Sequence, residues 1–130
     1  MSKILHIEAT KSSPAILFDP DADLLRISGE SCPENAAAFY APVFDWLKEY
    51  LAGAESGRRI RVEMNVPYFN SSTSKVFLNF FDLLEAEAEK GIPVEVNWSY
   101  EEDNDTALEC GEDFQEEMRA MTFNLVEIPE

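Results

Sequence analysis

Four hydroxyl side chains follow one amide in Asn70-Ser71-Ser72-Thr73-Ser74, between a strand-like run (Arg59 to Val66) and a helical one (Lys75 to Lys90). The chemistry open to such a cluster is phosphorylation at a helix start. The first backbone N–H groups of a helix lack intrahelical partners and sit at the positive end of its dipole, so a phosphate there meets donors and a favourable field. A modification adds about -1.5 to -2 charges at one spot. Asn, Ser and Thr are also the ordinary N-cap residues, and capping alone accounts for the same pattern.

Other reactive side chains are sparse. Cys32 and Cys110 have neither metal-ligand spacing nor a disulfide framework, and the single histidine, His6, has no cysteine near it in sequence. No metal site and no cofactor is expected. A serine hydrolase using Ser71 or Ser72 needs a base, yet His6 lies in an alternating strand and no G-x-S-x-G elbow surrounds either serine. The acidic run Glu101 to Asp105 lacks the alternating ligands and required glycine of a calcium loop, and reads as a solvated loop or helix start.

The elements that must hold the cluster follow from periodicity. Ile4, Leu5 and Ile7, then Ala15 to Phe18, then Leu24 to Ser28 read as strands, the last two joined by the turn Asp19-Pro20-Asp21-Ala22-Asp23. Pro33-Glu34-Asn35 opens a helix that carries Phe39, Tyr40, Val43, Phe44, Leu47 and Leu51 on one face, with Pro42 ending a first turn or kinking it. Gly53 to Gly57 connects to a strand in which Ile60, Val62 and Met64 alternate with polar residues. The second helix presents Val76, Phe77, Phe80, Phe81 and Leu84, and Gly91-Ile92-Pro93 stops it before the strand Val94, Val96, Trp98. Such a strand–helix–strand unit predicts parallel pairing, with the hydroxyl cluster at the carboxyl ends of the strands, where ligand and switch sites gather. Thr106 to Met121 predicts a third helix interrupted by Gly111, and Phe123 to Ile128 a final short strand. Trp46 and Trp98 read as packing residues.

Composition bounds the rest. The 130 residues are 45% apolar and 12% aromatic, enough to bury one core, and the expectation is a single domain over residues 1–130. A net charge of -16 argues against nucleic acid and anionic membrane, and favours a protein or cationic partner. No N-terminal run resembles a signal peptide and none reaches the length of a membrane span, so a cytoplasmic location is expected.

The order of elements resembles the STAS or anti-anti-sigma architecture, whose second main helix begins with a D-S-S-G type motif phosphorylated on its first serine. Asn70-Ser71-Ser72-Thr73 keeps the serine pair and replaces the acid and the glycine. A closer resemblance, over nearly the whole chain, is to the SiaC family of bacterial regulatory phosphoproteins. It is carried by Gly29-Glu30-Ser31-Cys32-Pro33-Glu34-Asn35, Phe44-Asp45-Trp46-Leu47, Tyr68-Phe69-Asn70-Ser71-Ser72 and Phe81-Asp82-Leu83-Leu84-Glu85.

That resemblance implies an α/β, STAS-like domain with a mixed sheet of about five strands and three to four helices. It implies a non-enzymatic switch in cyclic-di-GMP signalling and biofilm control. A serine/threonine kinase modifies the residue after the motif Asn, a PP2C-type phosphatase reverses this, and the unmodified form binds and activates a diguanylate cyclase. Family members carry threonine at the acceptor position, which here is Ser71, with Ser72 and then Thr73 as lesser acceptors. The expected partner-binding set is Glu34, Asn35, Tyr68, Asn70, Ser72 and Lys75. Capping also accounts for Glu34 and Asn35, and an ordinary surface role for Lys75. An anti-anti-sigma-type partner switch with another output protein, and a small STAS-type ligand sensor, are the alternatives.

Overall fold

The computed structural model describes residues 3–53 and 58–129. In chain order it contains β1 (Leu5–Ile7), β2 (Ala15–Asp19), β3 (Leu24–Ser28), α1 (Ala36–Ala52), β4 (Ile60–Asn65), α2 (Ser71–Glu89), β5 (Val94–Glu101), α3 (Asp105–Glu117) and β6 (Thr122–Ile128). The strands form one mixed sheet in the order β1-β2-β3-β4-β5-β6. The pairings β1–β2 and β2–β3 are antiparallel, and β3–β4, β4–β5 and β5–β6 are parallel.

Each parallel step needs a crossover, and α1, α2 and α3 supply them in turn. Successive crossovers of one hand that advance in one direction put every helix on the same face. The burial alternates accordingly. Ile16, Phe18, Leu25, Ile27, Ile60, Val62, Met64, Val94, Val96 and Trp98 are buried against the helices. Arg26, Arg61 and Glu95 stand exposed on the other face. Phe77, Phe80, Phe81 and Leu84 of α2 fill the middle of the core, with Trp98 edge-on to both Phe77 and Phe81.

The α/β architecture and the parallel β4–α2–β5 unit are as the sequence predicts, with six strands and three helices in place of about five and three to four. The C-terminal run adds a full strand because β6 pairs with β5 in register from Thr122 to Ile128. Three boundaries move. α1 begins at Ala36, so Pro33 and Glu34 precede it and Asn35 is its cap. α2 begins at Ser71, four residues before the expected Lys75. α3 ends at Glu117, because Met118 is extended and the next three backbone N–H groups turn to the Glu85 carboxylate instead.

Pro42 does not end the first turn: α1 runs through it. The carbonyl it cannot serve belongs to Ala38, and both residues are exposed, so water can take the missing partner's place. Gly111 likewise lies inside α3. A Cβ there would meet Trp98 Cδ1 at 2.6 Å and Leu125 Cδ2 at 2.9 Å, so the glycine lets α3 close onto the sheet, where Trp98 Nε1–H donates to the Ala107 carbonyl at 2.9 Å. Trp46, half-buried, packs on Phe18 and Tyr50 and donates its ring N–H to the Lys3 carbonyl. Of the expected Gly53–Gly57 loop, residues 54–57 lie outside the described residues.

Candidate functional site

The start of α2 is built on Asn70. Its backbone is extended (φ -87°, ψ 175°), its side-chain oxygen accepts the Thr73 N–H at 2.9 Å, and its carbonyl accepts the Ser74 N–H at 3.0 Å. With the amide doing the capping, the hydroxyls that follow are free for other uses. Ser71 and Ser72 are exposed, Ser74 is half-buried and Thr73 is fully buried. The N–H groups of Ser71 and Ser72 have no partner among the described residues, and the first turn of α2 contains no acidic side chain. An anion on Ser71 or Ser72 therefore meets a positive, unfilled helix end.

The segment after β3 runs beside the segment after β4 and carries the parallel pairing past the end of the sheet. Gly29 N–H donates to the Asn65 carbonyl and Ser31 N–H to the Tyr68 carbonyl, each at 2.9 Å, while Asn70 N–H returns to the Ser31 carbonyl at 3.2 Å. Ser31 and Phe69 form a parallel bridge. This zipper sets the start of α1 next to the start of α2. Asn35 caps α1 by accepting the Ala38 N–H at 3.1 Å. Glu34, Asn35, Ala36 and Ala37 then face Ser72, Lys75, Val76 and Asn79 across a groove of about 460 Å³.

Of the residues singled out from sequence, the structure thus brings Glu34, Asn35, Ser72 and Lys75 together along one groove. Ser71 and Tyr68 stand outside its lining; Tyr68 is 58% exposed, a large apolar surface directly before the helix start. Lys75 is exposed and forms no ion pair among the described residues.

Thr73 is placed differently from its neighbours. Its hydroxyl donates to the Ser31 carbonyl at 2.9 Å and lies 2.9 Å from Ser31 Oγ, which is itself 2.6 Å from the Tyr40 hydroxyl. An acceptor role for Thr73 would require opening this cluster. The sequence alone does not mark Ser31 and Tyr40 for this cluster: Tyr40 reads as a core position at helical spacing, and Ser31 as one residue of a motif. A serine between the end of a strand and a helix cap was the only available signal. Burial pushes the Tyr40 hydroxyl up to about 12, so it stays protonated and can donate.

The other reactive groups lie elsewhere. His6 is on β1, paired with Leu17 on the exposed face of the sheet, three strands from β4. At about 4.8 Å per strand that is roughly 14 Å across the sheet and on the side away from α2. It cannot act as base for Ser71. Burial, with Asp113 and Glu109 nearby, pushes the Cys110 thiol up, which makes it a poor nucleophile. Among the described residues no helix is long and apolar enough to cross a membrane.

Comparison with known proteins gives this geometry a family. The family model described as SiaC family regulatory phosphoprotein matches residues 7–128. The chain belongs to the SiaC family. A curated protein of Pseudomonas aeruginosa strain UCBPP-PA14, described only as uncharacterised, is 35% identical over 113 residues, covering 87% of this chain and 88% of that one. SiaC of Pseudomonas aeruginosa has the same fold over 100% of both chains, with a TM-score of 0.85 and 32% identity. A further solved structure is that of the diguanylate cyclase SiaD in complex with its activator SiaC from the same organism; it matches with a TM-score of 0.85 and 32% identity, over 97% of this chain and 99% of that chain. SiaC family members are regulatory phosphoproteins, and in this chain the hydroxyl cluster is the feature that suits that description.

Proposed function

We propose that this chain is a phosphorylation-controlled regulator in cyclic-di-GMP signalling, acting in the bacterial cytoplasm by binding rather than by catalysis. The unmodified form binds and activates a diguanylate cyclase. A serine/threonine kinase phosphorylates Ser71, which blocks that binding, and a PP2C-type phosphatase restores it. The observation that carries the reading is Ser71 itself: an exposed hydroxyl at the first position of α2, directly after the cap Asn70, beside N–H groups that have no partner among the described residues. Two further facts support it, the family match and the complex of SiaD with its activator SiaC.

The partner surface in this reading spans Tyr68, Asn70 and Ser72, with Glu34, Asn35 and Lys75 across and along the groove. Tyr68 offers the exposed aromatic area that anchors interfaces, and Lys75 an exposed cation on the groove. Because the chain already carries a net charge of -16, a phosphate changes its overall field little. Blocking must come from contact: an interface that closes over Ser71 has to desolvate the phosphate. Peptide mapping by mass spectrometry after treatment with the cognate kinase tests the register. Phosphate mainly on Ser71 supports the reading, and phosphate mainly on Thr73 or Ser74 rejects it.

A further inference from the structure

We infer that Thr73, Ser31 and Tyr40 form a hydroxyl latch that holds the first turn of α2 closed and sets how readily the segment around Ser71 opens to a modifying enzyme. The inference rests on the role proposed for Ser71 and concerns the regulation of that same site.

The three hydroxyls are effectively excluded from water: Ser31 and Thr73 are 0% exposed and Tyr40 1%. Each has one proton to give, and the geometry fixes where it goes. Thr73 donates to the Ser31 carbonyl. Its oxygen can then only accept from Ser31 Oγ, whose own oxygen can only accept from Tyr40. The chain runs from Tyr40 through Ser31 to Thr73 and ends on the Ser31 backbone, each group polarising the next. It ties α1, the segment after β3 and the first turn of α2 at one buried point.

Within that first turn Thr73 is the one fully buried side chain, since Ser71 and Ser72 are exposed and Ser74 is half-buried. Extending Ser71 into an enclosed active site requires the turn to unwind and Thr73 to withdraw. Ser31 then loses a donor at its carbonyl and an acceptor at its hydroxyl inside the core, a cost typical of buried unsatisfied groups. Asn70 N–H, held by the Ser31 carbonyl, opens with it. Ser31 thereby couples the cap to the core, and the latch sets the population of the open form.

The test needs no kinase. Amide hydrogen exchange at positions 73 and 74 is compared in the wild type, Thr73→Val, Thr73→Ser and Tyr40→Phe, with and without dilute urea. Trypsin cleavage after Lys75 is measured alongside, because a protease also needs an extended segment. Thr73→Val should speed exchange at both positions and cleavage after Lys75 by about 10- to 100-fold. The exchange should not respond to urea, since a local opening exposes little surface. Thr73→Ser should recover most of the wild-type protection. Tyr40→Phe, which removes only the head of the chain, should give about a 3- to 10-fold increase, and it carries the test if Thr73→Val does not fold. Exchange at 73 and 74 that is unchanged in these variants, or that follows urea in step with amides of β4 and β5, overturns the latch. A phosphate mapped away from Ser71 would end the reading of the acceptor and leave these rates as they are.

Discussion

Replacing Ser71 with Asp should move stability and partner binding in opposite directions. The first turn of α2 has no acidic residue, and the Ser71 and Ser72 N–H groups have no partner among the described residues. A carboxylate at the first helical position faces that positive end and stabilises by about 0.3–1 kcal/mol. For a chain of this length each kcal/mol shifts Tm by about 3–5 °C, so Tm should rise by about 1–5 °C. The net charge of -16 opposes this only weakly, because exposed charges beyond about 8 Å are screened at physiological salt. Binding is governed by a different step. A cyclase that closes over Ser71 must strip water from the new carboxylate, and about 1.4 kcal/mol of unrecovered desolvation is already tenfold. The dissociation constant should therefore increase at least about 10-fold, with a larger effect for phosphate, which has more charge and more oxygens. Isothermal titration against the cyclase and calorimetric melting of the variant measure the two effects. Binding equal to wild type would show that the interface does not cover Ser71. A Tm several degrees lower, with weakened binding, would show that the substitution breaks the helix start instead.

Two further outcomes test the packing that supports the site. The Glu85 carboxylate accepts the N–H groups of Arg119, Ala120 and Met121 at 2.8–3.1 Å, tying α2 to the chain between α3 and β6. Burial pushes this carboxyl up, but those three donors and the Arg119 charge outweigh it and hold it below the usual carboxylate range. A lowered folded value means the stabilisation is present above the unfolded pKa, about 4.3, and fades as pH falls through the folded one. Glu85→Gln should be less stable than wild type at pH 7 by about 0.5–1 kcal/mol, a value reduced by solvent screening of this largely open carboxylate, and the gap should narrow below about pH 4. A gap independent of pH would mean that the charge contributes nothing. Gly111→Ala forces a Cβ to 2.6 Å from Trp98 Cδ1. Its better helix propensity, about 1 kcal/mol, should be outweighed by overpacking of about 1–3 kcal/mol, giving a lower Tm in thermal melts; a higher Tm would refute the packing role given to that glycine.

The sheet and the parallel unit around the hydroxyl cluster could be read from sequence because strict alternation in Ile60–Met64 and Val94–Trp98, with helical spacing between them, leaves little choice of topology. The start of α2 was harder. Its apolar spacing begins at Val76, while Ser71 to Ser74 are weak helix formers that local preference leaves as a loop. Two contacts hold them helical: the local cap by Asn70, and a tertiary one in which Thr73 is held by Ser31, 42 residues away in the chain. Periodicity carries no information on such a pair, so neither the latch nor the burial of Thr73 is legible in the sequence. Gly111 shows the same limit, since a glycine that suits contact with Trp98 looks in sequence like a helix break. The family resemblance groups Glu34, Asn35, Ser72 and Lys75 as partner-binding residues, and the groove along which they line up is visible only in the structure.

In the proposed switch, phosphate on Ser71 blocks the partner. The direct measurement is titration of a diguanylate cyclase with three samples: unmodified protein, protein phosphorylated by its cognate kinase and mapped to Ser71, and Ser71→Ala treated with the same kinase. The unmodified protein should bind and raise cyclase activity, and the phosphorylated form should bind at least about 10-fold more weakly. Ser71→Ala should bind like the unmodified protein despite the kinase, since Asn70 does the capping and removing an exposed hydroxyl changes stability by no more than about 0.5 kcal/mol. Phosphorylated protein that binds as tightly as unmodified protein, and activates as well, would overturn the proposed block at Ser71.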